Sequence, residues 1–335
     1  MIMPVIYGKG AVRLQLLGYS INTLPELALL NFSRNRYFMS NSALQHFLAR
    51  HQLPDSYLSM AQNTFSPLID EFNHQHQINQ KTYIIGINGC QGSGKSTLAD
   101  YLCTVVAEKY HLPTVALSLD DFYLTKAERI ELARKVHPLL AQRGVPGTHD
   151  VDLAINTINS LALGNKTLIT RFDKSIDDRV CEADSETVTG HIGLIVIEGW
   201  CFGAKSQAPD SLMEPVNDME RSEDPDGVYR DYVNTALATH YPQLFEIADS
   251  TVMLRAPSFK TVFEWRLEQE RKLIENLRTT KPVPASLSTM SDQEIRRFIQ
   301  NFQRITEHCL EEMPNRVDHL FQLNVARQIV EYRKS

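Results

Sequence analysis

Long apolar runs are missing from this 335-residue chain. Nowhere do about 18 apolar residues follow one another, the length a membrane-crossing helix needs, so no membrane partner is expected. Positive charge is also short. The 34 Lys and Arg stand against 40 Asp and Glu, for a net charge of -6. Without a global positive field to displace counterions from a phosphate backbone, no nucleic acid partner is expected. The five cysteines (Cys90, Cys103, Cys181, Cys201, Cys309) form no CxxC pair and their number is odd, which argues against a disulfide framework or a zinc site. The first twenty residues have no basic start followed by an uninterrupted apolar core. These absences together lead to the expectation of a cytoplasmic protein that meets small anionic ligands with local groups; oligomeric state is not legible. The rest is ordinary globular composition, 43% hydrophobic and 22% charged, enough for one large domain with an extension or for two.

Strand-like apolar runs stand at 83–88, 114–118, 193–197, 251–254 and 319–323, mostly continuous, as strands covered on both faces are. Helix-period stretches lie between and after them, at 96–109, 126–136, 151–162, 229–240, 259–277, 292–312 and 325–333. That alternation predicts a parallel sheet with helices on both faces. Ser291 followed by Glu294 reads as a capping box, with Ile295, Phe298, Phe302 and Ile305 on one apolar face behind it. Residues 1–80 precede the first strand and read as a helical extension broken at Pro54 and Pro67, leaving 81–335 as the main domain. The polar, acidic, Pro-containing stretch 203–227 suits a surface loop or lid.

The strongest chemical signal is Gly89-Cys90-Gln91-Gly92-Ser93-Gly94-Lys95-Ser96, a GxxxxGK[ST] pattern directly after a strand and directly before a helix. Glycines 89, 92 and 94 let the backbone curl with its N–H groups inward, and the helix start adds its positive end. A nucleoside triphosphate with magnesium is the expected ligand, cradled by the turn from Gly89 through Gln91 and Ser93 to Thr97. In that reading Lys95 lies along the β and γ phosphates, the Ser96 hydroxyl meets the metal and Thr97 lies near the α phosphate.

Two acidic positions follow. Ser118-Leu119-Asp120-Asp121-Phe122-Tyr123 comes after the second strand, so its carboxylates are expected at the carboxyl edge of the sheet. Asp120 is the candidate base for an attacking hydroxyl, with Asp121 as second choice or metal partner; either residue as a turn cap is the bland alternative. The strand 193–197 runs into Glu198, a Walker B-like acid that would reach magnesium through water. On the helical wheel of 259–277, Arg266 and Glu270 share the apolar arc. Arg266 then either stabilises charge on a transferring phosphoryl group or forms an i,i+4 pair with Glu270. Candidate acceptor contacts are Asp121 and Tyr123 beside the candidate base, Arg143, His149 and Asp150 in the loop RGVPGTHD, and Arg171 and Lys174 in RFDKS, with Asp150 as a helix cap as its plainer role.

Read together, the glycine turn, SLDDFYLT, RGVPGTHD, RFDKS, IEGW, EDPDG and FEWRLEQE followed by MSDQE resemble the D-glycerate 3-kinase family, within the wider phosphoribulokinase, uridine kinase and pantothenate kinase group. The resemblance runs from about residue 83 to 302. It implies an α/β P-loop NTPase fold, a five-stranded parallel sheet flanked by helices with lid helices, and transfer of the γ-phosphoryl group of ATP, with Mg2+, to a small hydroxylated acceptor. It also implies catalytic roles for Asp120, Lys95 and Arg266 and a metal-side role for Glu198. A GTPase would show NKxD, and Asn165-Lys166-Thr167-Leu168 lacks the acid; a kinase for another small metabolite, or an ATP-binding regulator without acceptor chemistry, keeps the same motifs.

Overall fold

The computed structural model describes residues 41–279 and 291–335. Two helices precede the sheet, α1 (Asn41–His51) and α2 (Ser56–Asn79). Of the expected extension, residues 1–40 lie outside the described residues, as do 280–290. The central sheet has six strands in the order β10-β9-β8-β1-β7-β2. Its members are β1 (Tyr83–Gly89), β2 (Thr114–Ser118), β7 (Leu194–Gly199), β8 (Ser250–Arg255), β9 (His319–Leu323) and β10 (Ile329–Lys334). All neighbours are parallel except β10, which runs antiparallel to β9 at the edge. Four two-residue strands, β3 (Thr167–Leu168), β4 (Phe172–Asp173), β5 (Asp178–Arg179) and β6 (Thr187–Val188), pair as β3-β6 and β4-β5 ribbons outside this sheet.

The connecting helices are α3 (Lys95–Tyr110), α4 (Lys126–Lys135), α5 (Val151–Ala162), α6 (Asp218–Glu223), α7 (Val228–Thr239), α8 (Tyr241–Phe245), α9 (Phe259–Thr279) and α10 (Asp292–Glu312). β1 and β7 are buried along their whole length, as strands with helices on both faces must be. α10 starts where its capping box predicts: the Ser291 hydroxyl accepts the Glu294 N–H and the Glu294 carboxylate accepts the Ser291 N–H, an arrangement that stabilises a helix start by about 1 kcal/mol. Register positions the site. Ile87 of β1 stands beside Glu198 of β7, and Glu198 beside Ser118 of β2, so three strands deliver their carboxyl ends to one edge. Among the described residues no helix is long and apolar enough to cross a membrane.

Three expectations need correction. The stretch 325–333, read as a helix, is instead the β9–β10 turn and strand β10. The Asn324 side chain accepts the N–H groups of Ala326 and Gln328, and Arg327 takes a left-handed φ of 61°. The turn lets Tyr332 stack on Phe321 at 4.8 Å, a tertiary contact that overrides the helical period on which the reading of this stretch rests. Pro67 does not break α2; the helix passes through it because Phe65, Leu68, Ile69 and Phe72 are buried around it. Finally, the stretch 203–227 is no free lid. Arg304 of α10 grips both Glu220 carboxylate oxygens (2.9 and 2.6 Å) and the carbonyls of Ser211 and Glu214, while Arg230 is paired with Asp224 at 2.9 Å. The stretch does lie at the surface, with Asp210, Asp218 and Asp226 exposed, but Glu220 and Asp224 are anchors, and removing one partner of such a buried pair costs about 3–5 kcal/mol.

Candidate active site

The glycine turn links β1 to α3. Gly92 and Gly94 have φ of 79° and 91°, a region that side chains other than glycine adopt only at a cost. Gly89 has no positive φ; it is needed because a Cβ there would lie 2.5 Å from Ser93 Oγ. A Cβ on Gly92 would lie 2.8 Å from the Cβ of Trp265, so the turn is pressed against α9. From the first turn of α3, the Ser96 hydroxyl donates to Glu198 Oε1 at 2.6 Å, and Lys95 Nζ stands 3.8 Å from Glu198 Oε2. Glu198 is 6% exposed, and its Oε2 has no hydrogen-bond partner. Gln91 Oε1 and Ser93 Oγ are likewise buried and unpartnered. Burial alone would lower the Lys95 pKa, but attraction to Glu198 and Asp120 outweighs it and holds the ammonium above its ordinary range.

β2 ends in a single 3-10 turn over Leu119–Phe122. Ser118 caps it, accepting the Asp120 N–H, and Asp121 completes the capping box by accepting the Ser118 N–H at 3.1 Å. Asp121 also takes Arg171 Nη1 at 2.7 Å, so its carboxylate is committed to the turn. Asp120 is oriented by side chains: the Tyr123 phenol donates to Oδ1 at 2.8 Å and Lys174 Nζ to Oδ2 at 2.7 Å. Burial works against this carboxylate, yet Lys174 and Lys95 outweigh it and hold the pKa well below the usual range. Asp120 is therefore ionised at neutral pH.

The acceptor-side candidates fall into linked pairs. Tyr123 stacks on His149 at 4.6 Å. The Tyr241 hydroxyl accepts the Gly147 N–H at 2.9 Å and lies 2.6 Å from His149 Nδ1. The other ring nitrogen, Nε2, is buried without a partner. Burial pushes the His149 pKa down to about 4, against the pull of Asp120, so the ring is neutral. Arg143 and the fully buried Arg129 both engage Asp177 and both lie over the Phe172 ring, at 5.3 and 5.7 Å. Asp150 caps α5 through the Leu153 N–H and holds Arg179 at 3.0 Å. Arg266 pairs with Glu270 at 2.9 Å and lies over Phe298, the i,i+4 alternative.

The structure thus brings Lys95, Ser96, Glu198 and Asp120 together, with Lys174, Tyr123 and His149 around Asp120. Tyr241, Arg129 and Asp177 escaped the sequence reading. Only His149 hinted at Tyr241, since a buried imidazole requires a partner; the Asp177 seat had no periodic or motif signal at all.

A helix-opening glycine turn at the carboxyl edge of a parallel sheet, with strand-borne acids facing it, defines the class: a P-loop kinase. No family model matches the chain. The chain is 35% identical over 259 residues to the uncharacterized kinase mug58 of Schizosaccharomyces pombe, an alignment covering 69% of this chain and 87% of that one. It is 30% identical over 233 residues to the chloroplastic D-glycerate 3-kinase of Arabidopsis thaliana, covering 65% of this chain and 46% of the plant protein. The D-glycerate 3-kinase structure from Cryptococcus neoformans superposes with a TM-score of 0.68 at 24% identity, over 82% of this chain and 99% of that one, in agreement with the fold. The chain belongs to one kinase family with the Schizosaccharomyces pombe protein, and it is an ATP-dependent P-loop kinase.

Proposed function

We propose that the protein transfers the γ-phosphoryl group of ATP, with Mg2+, to a hydroxyl of D-glycerate. The observation that carries the reading is the ionised, partly buried Asp120 beside Lys95 at the strand edge that also presents Glu198. Glu198 Oε2, an unpartnered buried oxygen facing the Ser96 hydroxyl and Lys95, fits a hard cation that prefers oxygen donors. Ser96 and Glu198 are thus assigned to hold magnesium, which when bound neutralises charge on the phosphates. Lys95, with the N–H groups of residues 89–97, holds the β and γ phosphates.

Asp120 orients the acceptor hydroxyl and takes its proton as the new O–P bond forms. A carboxylate with a depressed pKa is a weak base, which suits a loose transition state in which the proton leaves late. Lys174, exposed and paired with Asp120, and Arg143 supply charge for the acceptor carboxylate, and the unpartnered His149 Nε2 lies beside Tyr123. Among the curated relatives above, the one whose name gives a substrate is the plant D-glycerate 3-kinase, and glycerate combines the carboxylate and hydroxyl that these groups suit. The test is a coupled ATPase assay with D-glycerate, uridine, pantothenate and ribulose 5-phosphate as separate acceptors. Stimulation by D-glycerate is expected; stimulation by another member alone overturns the substrate, and stimulation by none overturns the acceptor chemistry.

A further inference from the structure

The six-stranded sheet ends in β2 on one side and β10 on the other, and the chain treats the two edges differently. At the β2 edge Arg171 donates to the Ala116 carbonyl from Nη1 and Nη2, at 3.3 and 3.4 Å, so a side chain takes a main-chain acceptor that a further strand would use. At the other edge no described residue pairs with the outer side of β10. An unpaired edge is a template for another strand, and charged side chains held out over it are a common guard. The cations of β10 are drawn back instead. Lys334 pairs with Glu71 of α2, and Arg333 donates one guanidinium N–H to the Pro314 carbonyl. A register shift between Ile329 and Glu331 leaves residues 331–334 as the regular part of the edge.

The main-chain groups that face outward follow from the pairing with β9. The Ser335 N–H donates to the Asp318 carbonyl at 2.9 Å, and in an antiparallel pair the residues that bond to the neighbour alternate with those that do not. With Arg333 opposite Leu320 and Glu331 opposite Gln322, those two bond to β9, and Tyr332 and Lys334 turn their N–H and C=O groups outward. Lys334 faces α2, so Glu331 and Arg333 share the opposite face, and both are exposed.

We propose that β10 pairs antiparallel with β10 of a second copy of the chain, about a two-fold axis at Tyr332, so that the sheet continues across a dimer. In that register the two Tyr332 residues exchange main-chain hydrogen bonds, and each Glu331 stands opposite the partner's Arg333 in a non-hydrogen-bonded pair, where side chains lie closest. An axis at Arg333 would set like charges against each other. The strand is thus complementary to itself in one register, as a two-fold interface requires, and main-chain bonding of this kind is how extended segments add to a sheet edge. Val330, 61% exposed on the same strand, gives the contact apolar area.

The experiment is sedimentation equilibrium of the full chain as wild type, Glu331→Arg, Arg333→Glu and the double exchange. Wild type is expected to dimerise with a dissociation constant of about 10 µM. Because the axis repeats each pair, a single exchange sets like charges together twice, and association should weaken about tenfold or more. The double exchange restores opposite charges and should recover wild-type association to within about threefold. In hydrogen exchange the Tyr332 amide of wild type should open more slowly at about 100 µM protein than at about 1 µM. Wild type that stays monomeric at about 100 µM overturns the proposal, and so does a Tyr332 amide equally protected at both concentrations, which would mean that another part of the chain covers the edge. A dimer untouched by both single exchanges, or one that the double exchange does not recover, overturns β10 as its seat.

Discussion

Around the phosphate turn, the groups that would meet a ligand are backbone N–H groups and two side chains from the start of a single helix. Across from it, at Asp120, nearly every group is a charged side chain that already holds another: Lys174 on Asp120, Arg171 on Asp121, Arg143 and Arg129 on Asp177. The first half is shaped by φ angles and close approach, so it exists before any ligand does. The second is a set of ion pairs whose partners an acidic acceptor would have to share or replace. Donor binding is then expected to resist changes to side-chain charge, and acceptor handling to depend on it.

The largest effect that can break this division comes from Asp120→Asn. The amide keeps size and hydrogen bonding to Tyr123 but loses the charge and the ability to accept a proton, so kcat should fall about 10³-fold. ATP affinity, measured by calorimetry, should stay near wild type. An equal loss of ATP affinity would show that the halves are electrostatically one, through Lys95. Next is Gly92→Ala. The left-handed φ costs about 1–2 kcal/mol for alanine, and the new Cβ meets Trp265 at 2.8 Å. ATP affinity should fall about tenfold or more, while the acceptor KM at saturating ATP is unchanged.

A smaller effect tests the acceptor half from within. Asp177 sits at a left-handed φ of 58° at the tip of the β4–β5 ribbon and gathers two arginines. Asp177→Asn removes the charge that fixes Arg143 over Phe172. If Arg143 contacts the acceptor carboxylate, its KM should rise about fivefold with kcat and ATP affinity little altered, the pattern of lost positioning in the ground state. A change in ATP affinity instead would move Arg143 to the donor side.

The same division explains what could be read in the chain of letters. Residues 89–96 and Glu198 are legible because backbone geometry demands glycine at fixed spacing and a strand must end in its acid. The five parallel strands are legible because burial on both faces removes polar residues from them. Ion pairing at the acceptor side is not legible, since nothing local tells Arg143 to choose Asp177, 34 residues on, or Arg304 to choose Glu220, 84 residues back. Strand β10 went unseen for a related reason: its core-packed residues, Ile329 and Tyr332, stand three apart across a register shift between Ile329 and Glu331, which breaks the period of two that a strand reading needs.

A third region, at the opposite edge of the sheet, sharpens the comparison by supplying the smallest functional effect. Tyr83 and His319 begin β1 and β9, and between them Glu71 of α2 accepts the Tyr83 phenol (2.9 Å), His319 Nε2 (3.2 Å) and Lys334 (2.5 Å). Burial opposes the Glu71 charge, but Lys334, Tyr83 and His319 outweigh it and lower the pKa to about 2. A carboxylate whose folded pKa lies below its unfolded value adds stability above the unfolded value, and the addition is lost as pH falls from about 4.5 toward 2. Allowing for solvent screening at its rim, the contribution is about 2 kcal/mol. His319, buried and with its pKa lowered chiefly by that burial, acts in the same direction from about pH 6.5 downward, because the unfolded chain binds the proton first. Glu71→Gln should therefore lower unfolding free energy by about 2 kcal/mol at pH 7, and the gap to wild type should close near pH 2 to 3. Neither ATP affinity nor acceptor KM should move, since Glu71 contributes only through the docking of α2 at the far edge. A gap that persists at low pH would mean that packing, and not the charge, carries the contribution.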